Sequence, residues 1–331
     1  DKSLEVVRQN PYTLVEDIYG ISFSKADEIA GKIGIEQESE FRVQSGIKYA
    51  LSVFAGNGSS HVPKDVLIES SIRLLDVSGA LIEENLVALA FSGQIETDSL
   101  DGVPVVYQHF FYRAEQSVTF HIKRIMNGFM PPTAANVDNL INAAEAGERI
   151  RLSGDQRKAI RAALTNKITI ITGGPGTGKT TIINLIVKIF KQMGISVALA
   201  APTGRAAKRI TETAGVEAMT IHRLLEYVYS EDDNQMEFGR NEDNPLEEDA
   251  FIVDEASMID LMLMDGFLQA LDNDSRLIIV GDADQLPSVG AGNILHDMIN
   301  SEYVPTIRLE EIFRQAGESH IVVNAHSINN G

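Results

Sequence analysis

Residues 173–181 read GGPGTGKTT, and their types and spacing suit them to hold phosphate. Gly173, Gly174, Pro175, Gly176, Thr177, Gly178, Lys179 and Thr180 satisfy G-x-x-x-x-G-K-[ST], with Thr181 following, directly after the apolar run ITIIT (168–172) and before an amphipathic stretch. Glycine lets backbone N–H groups approach phosphate oxygens, a helix N-terminus adds its dipole, Lys179 neutralises the terminal phosphates, and Thr180 offers a hydroxyl to Mg²⁺. The chemistry implied is binding of ATP or a close relative, followed by hydrolysis.

Other residues complete such a site. Asp254 and Glu255 close the apolar run AFIVD (250–254), where Asp254 would hold Mg²⁺ through water and Glu255 would orient and deprotonate the attacking water. Gln285, in GDADQLP after the run LIIVG (277–281), offers an amide to sense the γ-phosphate. Ser153 and Gln156 fit a capping box and equally an adenine-reading glutamine. Arg314, in LEEIFRQ, reads as a transition-state arginine or as a surface ion pair.

These residues need strands to aim them. From Leu152 onward short apolar runs alternate with helical stretches: ITIIT (168–172), VALAA (197–201), AFIVD (250–254), LIIVG (277–281) and TIRL (306–309). Continuous apolar runs suit strands covered on both faces of a parallel sheet, so the fold class expected is α/β, a P-loop NTPase parallel sheet, which the family resemblance given below implies to be RecA-like. Ahead of it lies a mostly helical region. Residues 10–35 read as a helix-hairpin-helix, with a capping-box pattern at Ser24 and Asp27 and an apolar stripe at Ala26, Ile29, Ala30 and Ile33. A further helix is expected over 41–54. Two helices, near 64–75 and 82–91, then precede two strands joined through Asp101-Gly102, the outline of a winged helix. The expected segments are 1–58 (helix-hairpin-helix), 59–112 (winged-helix-like), 113–150 (helical linker) and 151–331 (motor domain).

Composition narrows the setting. The 331 residues contain no Cys, which removes thiolate metal sites and thiol nucleophiles, and no apolar run long enough to span a bilayer, so the expected location is cytoplasmic. A net charge of −19 argues against nucleic acid as partner, yet residues 231–249 alone hold nine acids and one Arg. The acidity is concentrated in one loop and leaves room for basic patches elsewhere. The chain opens DKSLEVV, without an initiator Met, and reads as part of a longer protein.

Together LSGDQRKAI (152–160), ITGGPGTGKTT (171–181), APTGRAAKR (201–209), TIHRLL (220–225), IVDEASMID (252–260), VGDADQLPSVGAG (280–292) and LEEIFRQ (309–315) resemble the successive motifs of superfamily 1 DNA helicases of the RecD and TraA type, the exodeoxyribonuclease V alpha-subunit family. The helical N-terminal region resembles that of the long RecD-like proteins. The resemblance implies ATP and Mg²⁺ as ligands and 5′→3′ movement of a monomeric motor on single-stranded and duplex-junction DNA, in repair or recombination. It implies that Gln156 reads adenine, Lys179 and Thr180 hold phosphate and metal, Asp254 and Glu255 serve metal and water, and Gln285 and Arg314 meet the γ-phosphate. Thr203, Arg205, His222 and Arg223 fall in motifs that in such helicases contact single-stranded DNA.

Two departures stand out. Helix-hairpin-helix turns that bind DNA read Gly-hydrophobic-Gly, whereas this one reads Gly20-Ile21-Ser22, and the chain stops at Gly331, before a second motor domain that unwinding would need. On this reading the chain binds nucleotide but unwinds poorly. Residues 227–240, with YVY and MEF flanking a polar turn, are a candidate for the pin that splits a duplex. The rival readings are a P-loop switch or kinase indifferent to DNA, and a DNA-binding scaffold whose nucleotide site is vestigial.

Overall fold

The structure, a computed structural model, describes residues 10–17, 21–131, 136–230 and 235–311. It divides into two units, Asp1–Glu115 with Val289–Gly292, and Gln116–Ser288 with Asn293–Gly331.

The first unit opens with α1 (Thr13–Asp17) and α2 (Phe23–Lys32), followed by α3 (Glu40–Gly56). Asn10 starts the first turn by accepting from the Tyr12 amide, 3.1 Å. Ser22 occupies the N-cap of α2 without a side-chain cap bond, so the expected Ser24/Asp27 capping box does not form. Asp27 is engaged elsewhere: its carboxylate takes two hydrogen bonds from Arg42 of α3 and one from the Tyr12 hydroxyl. A charged, partly buried acceptor is worth more there than at an exposed helix end. Ala26 and Ala30 are buried as the stripe requires, but Ile29 and Ile33 lie exposed and Phe23 takes the inner place, stacked between Tyr12 and Tyr49.

Next come β1 (His61–Pro63), α4 (Lys64–Leu75), α5 (Gly79–Phe91), β2 (Ile95–Leu100) and β3 (Val103–Gln108). The strands form an antiparallel sheet in the order β1-β3-β2, and Asp101 and Gly102 turn the hairpin with φ of 52° and 82°, as a two-residue turn of the twist-matching kind demands. α3 packs against α4, α5 and β1. Val43, Ile47, Val62, Leu67, Ile82, Leu89 and Val106 share one core with Tyr12, Phe23 and Ala26. Gly46 is required in α3, because a Cβ there would stand 2.5 Å from a methyl of Leu75 on α4.

The second unit includes the later part of α6 (His109–Met126), then α7 (Val137–Glu148), α8 (Gly154–Thr165), β4 (Ile168–Gly173), α9 (Lys179–Gln192), β5 (Val197–Ala201), α10 (Gly204–Ala214), β6 (Ala218–Thr220) and α11 (Ile221–Leu224). A two-stranded hairpin, β7 (Tyr227–Ser230) and β8 (Gln235–Phe238), follows at the candidate pin, and its tip, 231–234, lies outside the described residues. The unit continues with β9 (Ala250–Val253), α12 (Leu261–Gln269), β10 (Arg276–Gly281), α13 (Ile294–Asn300) and β11 (Thr306–Leu309).

Six strands form one parallel sheet in the order β11-β4-β10-β9-β5-β6. All five apolar runs are in it. The sixth strand, β6, has only three residues, AMT, and no apolar run to announce it. Ile171, Ile182, Ile186, Phe190, Leu199, Ile252 and Val280 build the core on one face. The chain leaves β4 and next enters the sheet three places away at β5, which opens a crevice beyond the carboxyl ends of the strands, the usual ligand position in open α/β sheets.

Candidate nucleotide-binding site

The glycine loop leaves β4 at that crevice. Gly176 and Gly178 have φ of 81° and 86°, a conformation that side chains resist, and Gly178 stands at the N-cap of α9 with no side chain to cap it. Elsewhere in the unit Asn136, Ser153, Thr203, Thr220 and Asp260 each cap a helix by accepting a backbone N–H. Leaving the first turn of α9 open supplies N–H donors and a positive dipole end to an anion. Gly173 must be glycine too, because a Cβ would lie 2.8 Å from the Leu309 carbonyl oxygen on β11.

Around the loop lies a cavity of about 650 Å³, lined by residues 174–181, Gln156, Asp254, Glu255, Gln285, Arg209 and residues 150–152. Lys179 donates to the carbonyl oxygens of Gly173 and Gly174, the latter at 3.1 Å. Burial pulls its pKa below the usual lysine range, while Asp282, Asp254 and Glu255 push it back up. Burial likewise raises the pKa of Asp254, against the Glu255 amide that donates to it at 2.9 Å and the nearby charge of Lys179. A half-buried ammonium and a half-buried carboxylate, each disfavoured in charged form by desolvation, would both improve when a phosphate and a metal arrive.

Gln156 is 2% exposed and does two things. Its side chain completes the capping box with Ser153, 3.1 and 3.2 Å, and its Nε2 donates to the Thr177 carbonyl oxygen, 3.1 Å. It joins α8 to the phosphate loop and lines the cavity. Gln285 is exposed at the cavity rim, and Arg314 lies outside the described residues.

Glu255 has φ of 55°, a left-handed backbone that turns the chain sharply after β9. Its carboxylate stands 3.7 Å from Arg209, on α10. Sequence reasoning did not single out Arg209 or the buried Asp282. The visible signal for Arg209 was its place in APTGRAAKR, on the helix that also carries Arg205; Asp282 directly follows β10, the neighbour of the loop strand.

The structure does not bring Thr203, Arg205, His222 and Arg223 into the cavity. They follow the carboxyl ends of β5 and β6. Thr203 caps α10 through the Ala206 amide, 3.3 Å, while Arg205, His222 and Arg223 are exposed. The His222 ring stands 5.4 Å from Tyr227 of the hairpin, and Arg223 pairs with Glu217 at 3.8 Å.

Among the described residues no cluster of three or more His, Cys, Asp or Glu could cage a metal. One carboxylate and one hydroxyl, Asp254 and Thr180, suit Mg²⁺ that takes its other ligands from phosphate and water. Among those residues, too, no helix is long and apolar enough to cross a membrane. A glycine loop on an inner parallel strand, opened toward an acidic pair two strands away, defines a P-loop nucleotide-binding domain of the RecA-like class.

Residues 156–291 match an AAA domain, and residues 1–61 match the HHH domain of the ATP-dependent RecD2 DNA helicase. The chain is 31% identical over 343 residues to the ATP-dependent RecD2 DNA helicase of Deinococcus radiodurans, covering 99% of this chain and 46% of that protein. It is 32% identical over 276 residues to the RecBCD enzyme subunit RecD of Mycolicibacterium smegmatis, covering 76% and 48%. Among solved structures, a Pif1 helicase from Candida albicans matches 54% of this chain and 44% of its own at 24% identity, with a TM-score of 0.40, too loose a fit to weigh. The chain belongs to the RecD-like family. It spans about half the length of the curated relatives it matches.

Proposed function

We propose that this chain carries the ATP-hydrolysing site of a DNA helicase that moves 5′→3′ along a single strand, as a monomeric motor in repair or recombination. The observation that carries the reading is the convergence of Lys179, Thr180, Asp254, Glu255, Gln285 and Gln156 on one cavity. In this reading residues 1–58, 59–112 and 113–150 precede a motor domain at 151–331.

Thr180 and Asp254 would hold Mg²⁺, which when bound neutralises charge on the β- and γ-phosphates. Lys179 moves from the Gly173 and Gly174 carbonyls to phosphate oxygens, exchanging neutral acceptors for charged ones. Glu255 accepts a proton from the attacking water, and Gln285 at the rim meets the γ-phosphate. Arg314 would stabilise the transferring phosphoryl group. Gln156 positions the loop and reads the base. Thr203, Arg205, His222 and Arg223 contact backbone phosphates and sugars, which carry no sequence information.

ATP hydrolysis by the full-length protein, with and without single-stranded DNA, tests this reading. Turnover is expected to rise with DNA and to fall by about 10²–10³ in Lys179→Ala. A turnover rate that ignores DNA would favour a P-loop switch or kinase, and no turnover at all would favour a scaffold.

A further inference from the structure

We propose that the outward face of α5, with the β2–β3 hairpin beside it, docks a basic protein segment and does not read DNA. In a helix-turn-helix fold the second helix of the motif is the one laid in the major groove, and here that position belongs to α5. Its inner row, Ile82, Asn85, Leu86 and Leu89, is buried in the core of the first unit. The outer row is thereby fixed. Glu83, Val87 and Phe91 follow at i, i+4 and i+8, with Glu84 beside them.

That row has the wrong chemistry for a phosphate backbone. Between Arg73 and Arg113 the sequence holds no Lys or Arg, but it holds Asp76, Glu83, Glu84, Glu96, Asp98 and Asp101. His109 meets Glu96 at 2.8 Å, and Lys48 of α3 donates to the Gln94 side chain at 2.9 Å. Asp98 and Asp101 stay exposed on the hairpin. A duplex approaching α5 would bring its phosphates toward carboxylates, without cations on α5 or the hairpin to displace its counterions.

The same row suits a protein. Val87 is 67% exposed and Phe91 95%, one helical turn apart, and Leu100 and Val103 are half-exposed on the two strands of the hairpin. A large exposed aromatic on a face whose charged side chains on α5 and the hairpin are all acidic offers an anchor and a selective rim of the kind interaction hot spots use. Charge complementarity then sets the occupant: an apolar side chain flanked by Lys or Arg, on a partner protein. The inference does not depend on the helicase reading.

A photo-crosslinking residue at Val87 of the full-length protein, activated in its cells of origin, identifies the neighbouring segment by mass spectrometry. The expected product is a segment of another protein with Lys or Arg on both sides of an apolar residue. Synthesised as a peptide, that segment is expected to bind the purified protein with an affinity that falls with salt. Phe91→Ala and the Glu83→Lys/Glu84→Lys double variant are each expected to weaken it at least tenfold with no change in melting temperature. Crosslinks only to DNA, only within the same chain, or to segments without basic residues would overturn the proposal. So would equal peptide affinity in the variants, or a tenfold loss of duplex DNA binding in Phe91→Ala.

Discussion

The nucleotide cavity and the exposed row of Arg205, His222 and Arg223 both follow the carboxyl ends of parallel strands, yet they meet opposite electrostatic conditions. In the cavity Lys179 and Asp254 are half-buried, and each has its pKa moved toward the neutral form by desolvation. In the row the cations are exposed and only loosely paired, as in the Arg223–Glu217 contact at 3.8 Å. A charge held out of water acts strongly on whatever arrives and costs stability meanwhile. A charge left in water costs little and acts only in company. Substitutions in the two regions therefore differ in size and in kind.

The largest effect is expected at Glu255. Glu255→Gln keeps the shape but loses the proton acceptor, so turnover is expected to fall by about 10²–10⁴ while nucleotide affinity, read by fluorescence titration, holds. Lys179→Ala comes next, with a loss of about 10²–10³ in turnover and a weaker nucleotide complex as well. If both variants weakened nucleotide binding equally, the division of labour inside the cavity would be wrong. In the exposed row, Arg205→Ala is expected to weaken single-stranded DNA binding about fivefold and to lower the salt slope by roughly 1, as loss of one phosphate contact does. An unchanged slope would remove Arg205 from the DNA path.

Gln156→Ala is expected to weaken nucleotide binding by about 1 kcal/mol, because it unties the loop from the α8 cap, and calorimetry can measure it. The smallest effect bears most directly on the comparison. Folding raises the pKa of Asp254, so the carboxylate is more protonated in the native than in the unfolded chain. Ligand-free stability attributable to it is present at low pH and is lost as pH rises from the ordinary carboxylate value through the raised one. Asp254→Asn is therefore expected to raise the neutral-pH melting temperature by roughly 2–4 °C, to flatten that pH slope, and to remove the stabilisation that Mg²⁺ and ATP confer. A fall in melting temperature would mean that the carboxylate is not under strain.

Much of the second unit was legible in the sequence because strands covered on both faces must be continuously apolar. The runs at 168–172 and 277–281 could scarcely be anything else. The edge strand β6 was not legible, since three residues carry no pattern. Local signals also lost to distant partners. Ser24 and Asp27 have capping-box spacing, but Arg42 lies fifteen residues from Asp27 and takes its carboxylate. Ser153 and Gln156 have the same kind of spacing and do form the box, because no stronger partner draws the glutamine away. The glycine loop and the acidic pair were readable from order alone. The approach of Arg209 to Glu255 was not, because the sheet brings together residues whose nearness no spacing encodes.

The neighbours of β4 set a timetable. The strand that launches the glycine loop is bonded on one side to β10 and on the other to β11, both synthesised long after it. Gly173 itself rests against the Leu309 carbonyl. A nascent chain emerges N-terminus first, so the loop leaves the ribosome without the walls that shape it, while the first unit can already have packed its own core. On the function proposed above, nucleotide affinity would be a late property, gained when β11 zips into place, and a nucleotide bound to the loop would act on that last step as a folding ligand.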